Sequence, residues 1–205
     1  MMPRSAMLLA VAATIASWAP PMVFGPLEPG YRSVRDYISE LGAAGATDAG
    51  VVNLTFLLAG ALVVAACAAM RRALPAGPAA VGGLTLVSLI GVSWLVAGMV
   101  PCDAGCPAEG STNQIVHNTT GLAGYLGGAS GLLWLGATLR RDGAPWHAAV
   151  TTACGVVVLA ALVAMATSAL NGGRGLSQRV GEAAVFGWLL VTAPRATAAR
   201  TSLST

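Results

Sequence analysis

The chain has 205 residues, of which 56% are hydrophobic and 9% charged, and its formal net charge of +3 comes from 11 basic residues, all arginine, against 8 acidic ones. A soluble domain carries roughly 25% charged residues, so this composition excludes a soluble globular enzyme and points to an integral membrane protein. The small positive charge sits in short segments beside apolar stretches, which speaks for membrane orientation and against nucleic-acid binding.

Six apolar stretches of membrane length occupy residues 5–24, 51–70, 79–100, 115–139, 148–170 and 179–194. At about 20 residues per crossing they leave only short links, which predicts one all-α domain over residues 1–205, a polytopic bundle of six transmembrane helices. Arg4, Arg71, Arg72, Arg140, Arg141, Arg195 and Arg200 lie beside alternate ends of these stretches, and Arg32, Arg35, Arg174 and Arg179 beside the others. That asymmetry in short links places both termini in the cytoplasm. All acidic residues but Asp142 then fall toward the extracytoplasmic end. Arginine without lysine, amid abundant Ala, Gly and Val, reads as GC-rich bacterial coding, so the expected location is a bacterial plasma membrane.

Arg4 before an apolar run has the outline of a signal peptide, but Pro20 and Pro21 follow Ala19 where a small-residue cleavage site would be wanted. The stretch is expected to stay as the first span, with the two prolines kinking or ending its helix near the outer surface.

The first outer link runs Tyr31-Arg32-Ser33-Val34-Arg35-Asp36-Tyr37-Ile38-Ser39-Glu40-Leu41-Gly42. Ser33 followed by Asp36 resembles a capping box, and Gly42 is placed to stop a helix. Val34, Tyr37, Ile38 and Leu41 form an apolar stripe opposite Arg32, Arg35, Asp36, Ser39 and Glu40, which predicts a short amphipathic helix on the outer surface. Its polar face is either solvated, with Arg32 and Asp36 paired, or turned over the mouth of the bundle.

The second outer link, Pro101-Cys102-Asp103-Ala104-Gly105-Cys106-Pro107, leads to His117-Asn118 about a turn into the fourth span. Two cysteines so close in an oxidising compartment most simply form a disulfide. Zinc would also accept Cys102, Cys106, His117 and Asp103, and free thiols are a third reading. One CxxxC with one His is not a recognisable metal motif, so no metal or other cofactor is expected. His117 either hydrogen-bonds a neighbouring backbone or carries a proton, since an imidazole changes form at low cost near neutral pH. His147, the other histidine, falls at the opposite membrane face, which argues against a bis-His haem within one subunit.

The fourth span carries Gly121, Gly124, Gly128 and Gly131 at helical spacing, which predicts close backbone contact with a neighbouring helix. Trp94, Trp134 and Trp188 read as packing or interface anchors, and Cys67 and Cys154 as small core residues. The third outer link, Asn171 to Ser177, leads into Gln178, Arg179 and Glu182 on one helix face at the start of the sixth span. A carboxylate a turn inside a span costs a few kcal/mol unless it is paired or faces a wet cavity. Either Arg179 and Glu182 form a structural pair, or Glu182 belongs to an outer polar pocket with His117, roofed by the helix around Arg35–Leu41.

Ile38-Ser39-Glu40-Leu41-Gly42, the following Asn53, the Pro101-x-Asp103 turn and His117-Asn118 together resemble the "domain of unknown function 998" family of prokaryotic membrane proteins, from the first outer link through the sixth span. The resemblance implies a six-span membrane protein and directs attention to Glu40, Asp103 and His117.

The expected function is a membrane-embedded enzyme doing acid–base chemistry (hydrolysis, isomerisation or cyclisation) on a lipid or isoprenoid-like substrate at the extracytoplasmic face. His117, Glu182, Asp103 and Glu40 would supply acid and base, and Arg35, Asp36, Asn118, Gln178 and Arg179 would hold the head group. A non-enzymatic subunit binding a lipid or a partner protein is the alternative. A small transporter is a third, though the halves show no internal similarity and no ionisable residue sits mid-span.

Overall fold

The computed structural model describes residues 4–71, 77–168 and 172–194. Among them every regular element is helical: α1 (Arg4–Ala19), α2 (Ala49–Met70), α3 (Pro78–Met99), α4 (Thr112–Arg141), α5 (Pro145–Ser168) and α6 (Arg174–Thr192). Ser5–Phe24, α2, α3, α4 and Pro145–Thr167 are each long and apolar enough to cross a bilayer. The chain is therefore a multi-pass helical membrane protein. The 19 residues of α6 include Arg174, Arg179 and Glu182 in its first half, which makes it the most charged of the six along its entry turns. Arg72, Leu170, Asn171, Arg195 and Arg200, and with them part of the arginine asymmetry and the chain termini themselves, lie outside the described residues.

Local chemistry sets the helix ends. Pro78 and Pro145 open α3 and α5, where a missing N–H leaves nothing unsatisfied. Ser111 caps α4 by accepting from the Gln114 N–H (3.3 Å), and Arg140 and Arg141 close it at the negative end of its dipole. Pro20 and Pro21 end the α-helical ladder of α1 at Ala19, as the sequence predicts, though the chain stays helical beyond it. Lacking N–H groups, they shift the ladder to a wider π turn over Pro20–Phe24, closed by the Gly25 N–H on the Pro20 carbonyl (3.2 Å).

Consecutive helices pack as antiparallel neighbours, and α6 returns against α1 as well as α5. The glycine row of α4 seats on α3, as the sequence predicts: Gly124 faces Ser93, Gly128 faces Ile90, and Gly131 meets the backbone of Gly83 and Val87. Gly121 departs from this row, because a Cβ there would meet nothing within 4 Å. Trp94 stands edge-on between Phe56 of α2 and Phe186 of α6, at centroid distances of 5.2 and 5.9 Å. The Trp188 indole donates to Thr151 Oγ1 (3.0 Å), tying α6 to α5. Trp134 lies at the surface across Gly82. Cys67 is buried and Cys154 half-buried, both as free thiols.

The antiparallel order puts the links 25–48, 100–111 and 172–173 at one end, where they form a cap. Ala44 N–H donates to the Cys102 carbonyl (2.9 Å), Gly175 N–H to the Arg35 carbonyl (3.3 Å) and Leu176 N–H to the Val34 carbonyl (2.9 Å). These bonds also reshape the first link. Only Ile38–Gly42 is helical, as a 3-10 turn, and residues 32–36 form a single turn, closed by the Arg35 and Asp36 N–H groups on the Arg32 carbonyl (2.9 and 2.7 Å), rather than a helix begun at Ser33. The first-turn N–H groups of α6 capture carbonyls that a local helix would have used itself. Ile38 and Leu41 are buried as the stripe requires, whereas Val34 is exposed.

Candidate functional site

Glu182 is the site's starting point. It lies in α6, is 3% exposed, and accepts a hydrogen bond at Oε1 from the Tyr125 hydroxyl of α4 (2.7 Å). Its second oxygen, Oε2, is buried without a hydrogen-bond partner, and the Trp94 indole N–H is a donor close to the carboxyl group. Buried polar atoms are nearly always bonded, so an orphan oxygen on a carboxylate calls for an explanation. A cavity of about 60 Å³ lies against it, lined by Ile38, Ser93, His117, Tyr125 and Gln178 among others. That volume has room for a few water molecules.

His117 enters the same cavity from α4, with its Nδ1 3.0 Å from the Val100 carbonyl. A carbonyl only accepts, so Nδ1 carries the hydrogen and the neutral ring keeps its lone pair at Nε2. His117, Gly121 and Tyr125 follow one another at four-residue intervals and line one helix face. Gln178 accepts the Ile38 N–H at Oε1 (2.6 Å), which pins the 3-10 turn over the cavity.

Beside this cavity runs a groove of about 260 Å³ that shares Ser39, His117, Gly121, Tyr125 and Gln178 with it and extends along Leu122, Leu162 and Met165, between α4 and α5. Tyr37, Asn118 and Arg174 stand at its polar end. A third hollow, about 300 Å³, lies on the cap among Glu28, Arg35, Asp36 and Glu40.

The remaining sequence candidates divide by what already holds them. Arg35 grips Asp36 with two bonds (2.6 and 2.9 Å) and reaches the Gly30 carbonyl (3.0 Å). Asp36, 4% exposed, also accepts the Arg32 N–H (2.7 Å), so its partner is the Arg35 side chain and not that of Arg32. Burial pushes the Asp36 carboxyl up, but the Arg35 and Arg32 bonds outweigh it and hold the group below its ordinary value. Glu40 accepts from the Tyr37 N–H (2.8 Å) and from Arg174 (2.9 Å), yet burial leaves its carboxyl above its usual range.

Arg179 does not pair with Glu182. It donates to the carbonyls of Asp36 and Gly175 (3.0 Å each) and to the Tyr31 hydroxyl, over whose ring it also lies. Asp103 lies apart from the cavity: it braces the start of α4 by accepting from Ser111 N and Oγ (2.8 and 2.7 Å), bonds that keep its carboxyl low. Asn118 points both amide donations at the Pro107 and Ala108 carbonyls (3.0 and 3.1 Å) and lines the groove while holding that loop. Cys102 and Cys106 are joined as a disulfide, their Cα atoms 5.2 Å apart, buried with Ala43 under Tyr37.

The structure thus unites His117, Glu182 and Gln178, places Asn118 on the adjoining groove, and assigns Arg35, Asp36, Glu40, Asp103 and Arg179 to the cap's own framework. Two members escaped the sequence reading. Tyr125 was readable from its spacing to His117 and Gly121. Arg174 bonds Glu40, the Gly105 carbonyl (3.1 Å) and the Arg35 carbonyl (3.3 Å) and stacks 4.7 Å over Tyr37, a set of long-range contacts with no local signature.

Nothing among curated proteins or solved structures matches the chain. The family model described as "Protein of unknown function (DUF998)" matches residues 11–195, and the chain belongs to that family.

Proposed function

We propose that this protein is a membrane-embedded enzyme that performs proton-transfer chemistry on a lipid-like amphiphile at the extracytoplasmic face of a bacterial plasma membrane, both chain termini being cytoplasmic. The observation that carries the reading is the orphan Oε2 of buried Glu182 on a cavity shared with His117 and Tyr125. An unsatisfied buried acceptor costs about 1–3 kcal/mol, and such a cost is accepted where the oxygen takes a proton or hydrogen bond from a ligand. Tyr125 orients the carboxylate through Oε1, and His117, held by Val100, offers a second group for the proton's return. The groove along Leu122, Leu162 and Met165 suits an apolar tail entering from the bilayer between α4 and α5.

The test pairs Glu182→Gln and His117→Ala with the wild type, each purified in detergent and incubated with isotope-labelled lipid extract from the native membrane. One lipid species should change mass or retention with wild type only, while both variants stay folded and inserted. Full turnover by both variants would end the proposal. The small size of the inner cavity favours a second reading, a non-enzymatic lipid-binding subunit. That reading expects a co-purifying lipid with no conversion, lost when the groove is blocked.

A further inference from the structure

We propose that, when Cys102 and Cys106 are in the dithiol state, they and His117 hold one thiophilic divalent metal ion of the zinc class. The donor atoms of these three residues all lie within 4.8 Å of one another. Metal–sulfur bonds of about 2.3 Å and metal–nitrogen bonds of about 2.0–2.1 Å put tetrahedral donors roughly 3.6–3.8 Å apart, so closing onto an ion asks for movement of about an ångström. The two cysteines are 0% and 4% exposed and already face each other across one short loop, so parting the sulfurs needs no rearrangement of the fold.

The imidazole is prepared in the same sense. Its Nδ1–H is taken by the Val100 carbonyl, the kind of backbone acceptor that fixes the ring of a ligating histidine, and the lone pair remains on Nε2. Asp103, the other potential ligand of this loop, is committed to Ser111. The protein set is therefore two thiolates and one imidazole. Cys106 and His117 both line the groove, which leaves the fourth position open on that side, the arrangement of a metal centre that meets a ligand rather than of a closed structural site.

The balance is simple. A dithiol or phosphine reductant delivers two electrons and the medium two protons, converting the disulfide to two thiols. The ion then displaces both thiol protons as it binds. Resting on the proposed function above, a regulatory consequence follows: the His117 lone pair cannot hold both a metal and a proton, so metal loading should silence proton transfer and the disulfide should permit it.

The experiment uses the full chain in detergent with Cys67→Ala and Cys154→Ala, which removes the other two thiols. After phosphine reduction and anaerobic removal of the reductant, Co2+ is titrated as the probe. One equivalent should bind, with sulfur-to-cobalt charge-transfer bands and the d–d absorption of a tetrahedral site, and zinc should displace it. The disulfide form should take up none. Cys106→Ser should weaken the charge-transfer bands, one thiolate of two remaining, and His117→Ala should bind more than about tenfold more weakly, one of three protein bonds being gone. A reduced chain with two titratable thiols and no cobalt–thiolate band would overturn the site, as would identical spectra and affinity for His117→Ala. A cobalt site in a protein whose lipid turnover is absent or metal-insensitive would remove the regulatory consequence and leave the site standing.

Discussion

Gly121 and Gly131 sit ten residues apart on one helix and should respond oppositely to a side chain. A Cβ on Gly131 would lie 2.6 Å from the Gly83 carbonyl oxygen and 2.7 Å from the Val87 nitrogen, both backbone atoms of α3, at least 0.7 Å inside the 3.4 Å where ordinary contact begins. No rotamer relieves this, so α3 and α4 must part by a similar distance. A gap of 0.5–1 Å forfeits about a quarter to a half of each dispersion contact along the seam. Overpacking of this kind costs about 1–3 kcal/mol, against the roughly 1 kcal/mol that alanine gains over glycine in a helix, so Gly131→Ala should lose up to about 2 kcal/mol. Gly121 has nothing within 4 Å of the Cβ position, yet it lines both the inner cavity and the groove. Gly121→Leu should therefore keep or raise stability by up to about 1 kcal/mol while obstructing the passage between the two. Thermal unfolding in detergent, followed by tryptophan fluorescence, reads the first effect. Retention of co-purified lipid and its conversion, followed by mass spectrometry, read the second. Equal stability changes in the two variants would refute the packing argument, and unaltered lipid handling by Gly121→Leu would refute the route into the site.

Three further outcomes follow from the same geometry. Tyr125→Phe removes the one good hydrogen bond to Glu182 and should cost about 1–3 kcal/mol of stability, but clearly less in a Glu182→Gln background; equal losses would mean the pair is not coupled. Asp36 is held below its ordinary value of 3.8, so its contribution is complete above that pH and is lost as pH falls through the lower folded-state value. Wild-type melting should therefore decline more steeply below about pH 4 than that of Asp36→Asn, which starts lower at neutral pH, and parallel curves would contradict this. Arg174→Gln breaks bonds to the first and second links at once and should lower stability by about 2–3 kcal/mol, whereas Arg32→Gln, on an exposed side chain, should stay within about 0.5 kcal/mol. Similar melting of these two arginine variants would show that the cap is not tied at Arg174.

What the sequence made legible was whatever depends on local pattern. The helices were readable from the length of their apolar runs, and the α3–α4 seam from glycine spacing, because burial in a bilayer demands both over a contiguous segment. The start of α6 was hidden: Arg174 to Ser177 is polar and reads as a link, and only docking on the Val34 and Arg35 carbonyls makes it a first turn. The same docking erased the helix predicted from Ser33. Likewise Glu182 and Arg179, neighbours on paper at three-residue spacing, part company because Tyr31 and the Asp36 carbonyl draw the guanidinium up into the cap. Such choices are settled by partners about 140 residues away in the chain, and no local propensity encodes them.

The division of labour among the arginines bears on what the site would accept. Arg35, Arg174 and Arg179 each hold backbone carbonyls of the cap, and two of them also hold a carboxylate there. None lines the inner cavity, whose polar walls are Ser39, Ser93, Trp94, His117, Tyr125, Gln178 and the Glu182 carboxyl. A phosphate or carboxylate head entering there would bury its charge beside a carboxyl group with no arginine to pair it, in surroundings that penalise an unpaired anion. A hydroxyl or amine meets the opposite situation, since it can donate to the orphan Oε2. The site's chemistry thus favours a donor-bearing, non-anionic head on an apolar tail, with the arginines acting at one remove by keeping the cap closed over the carboxylate.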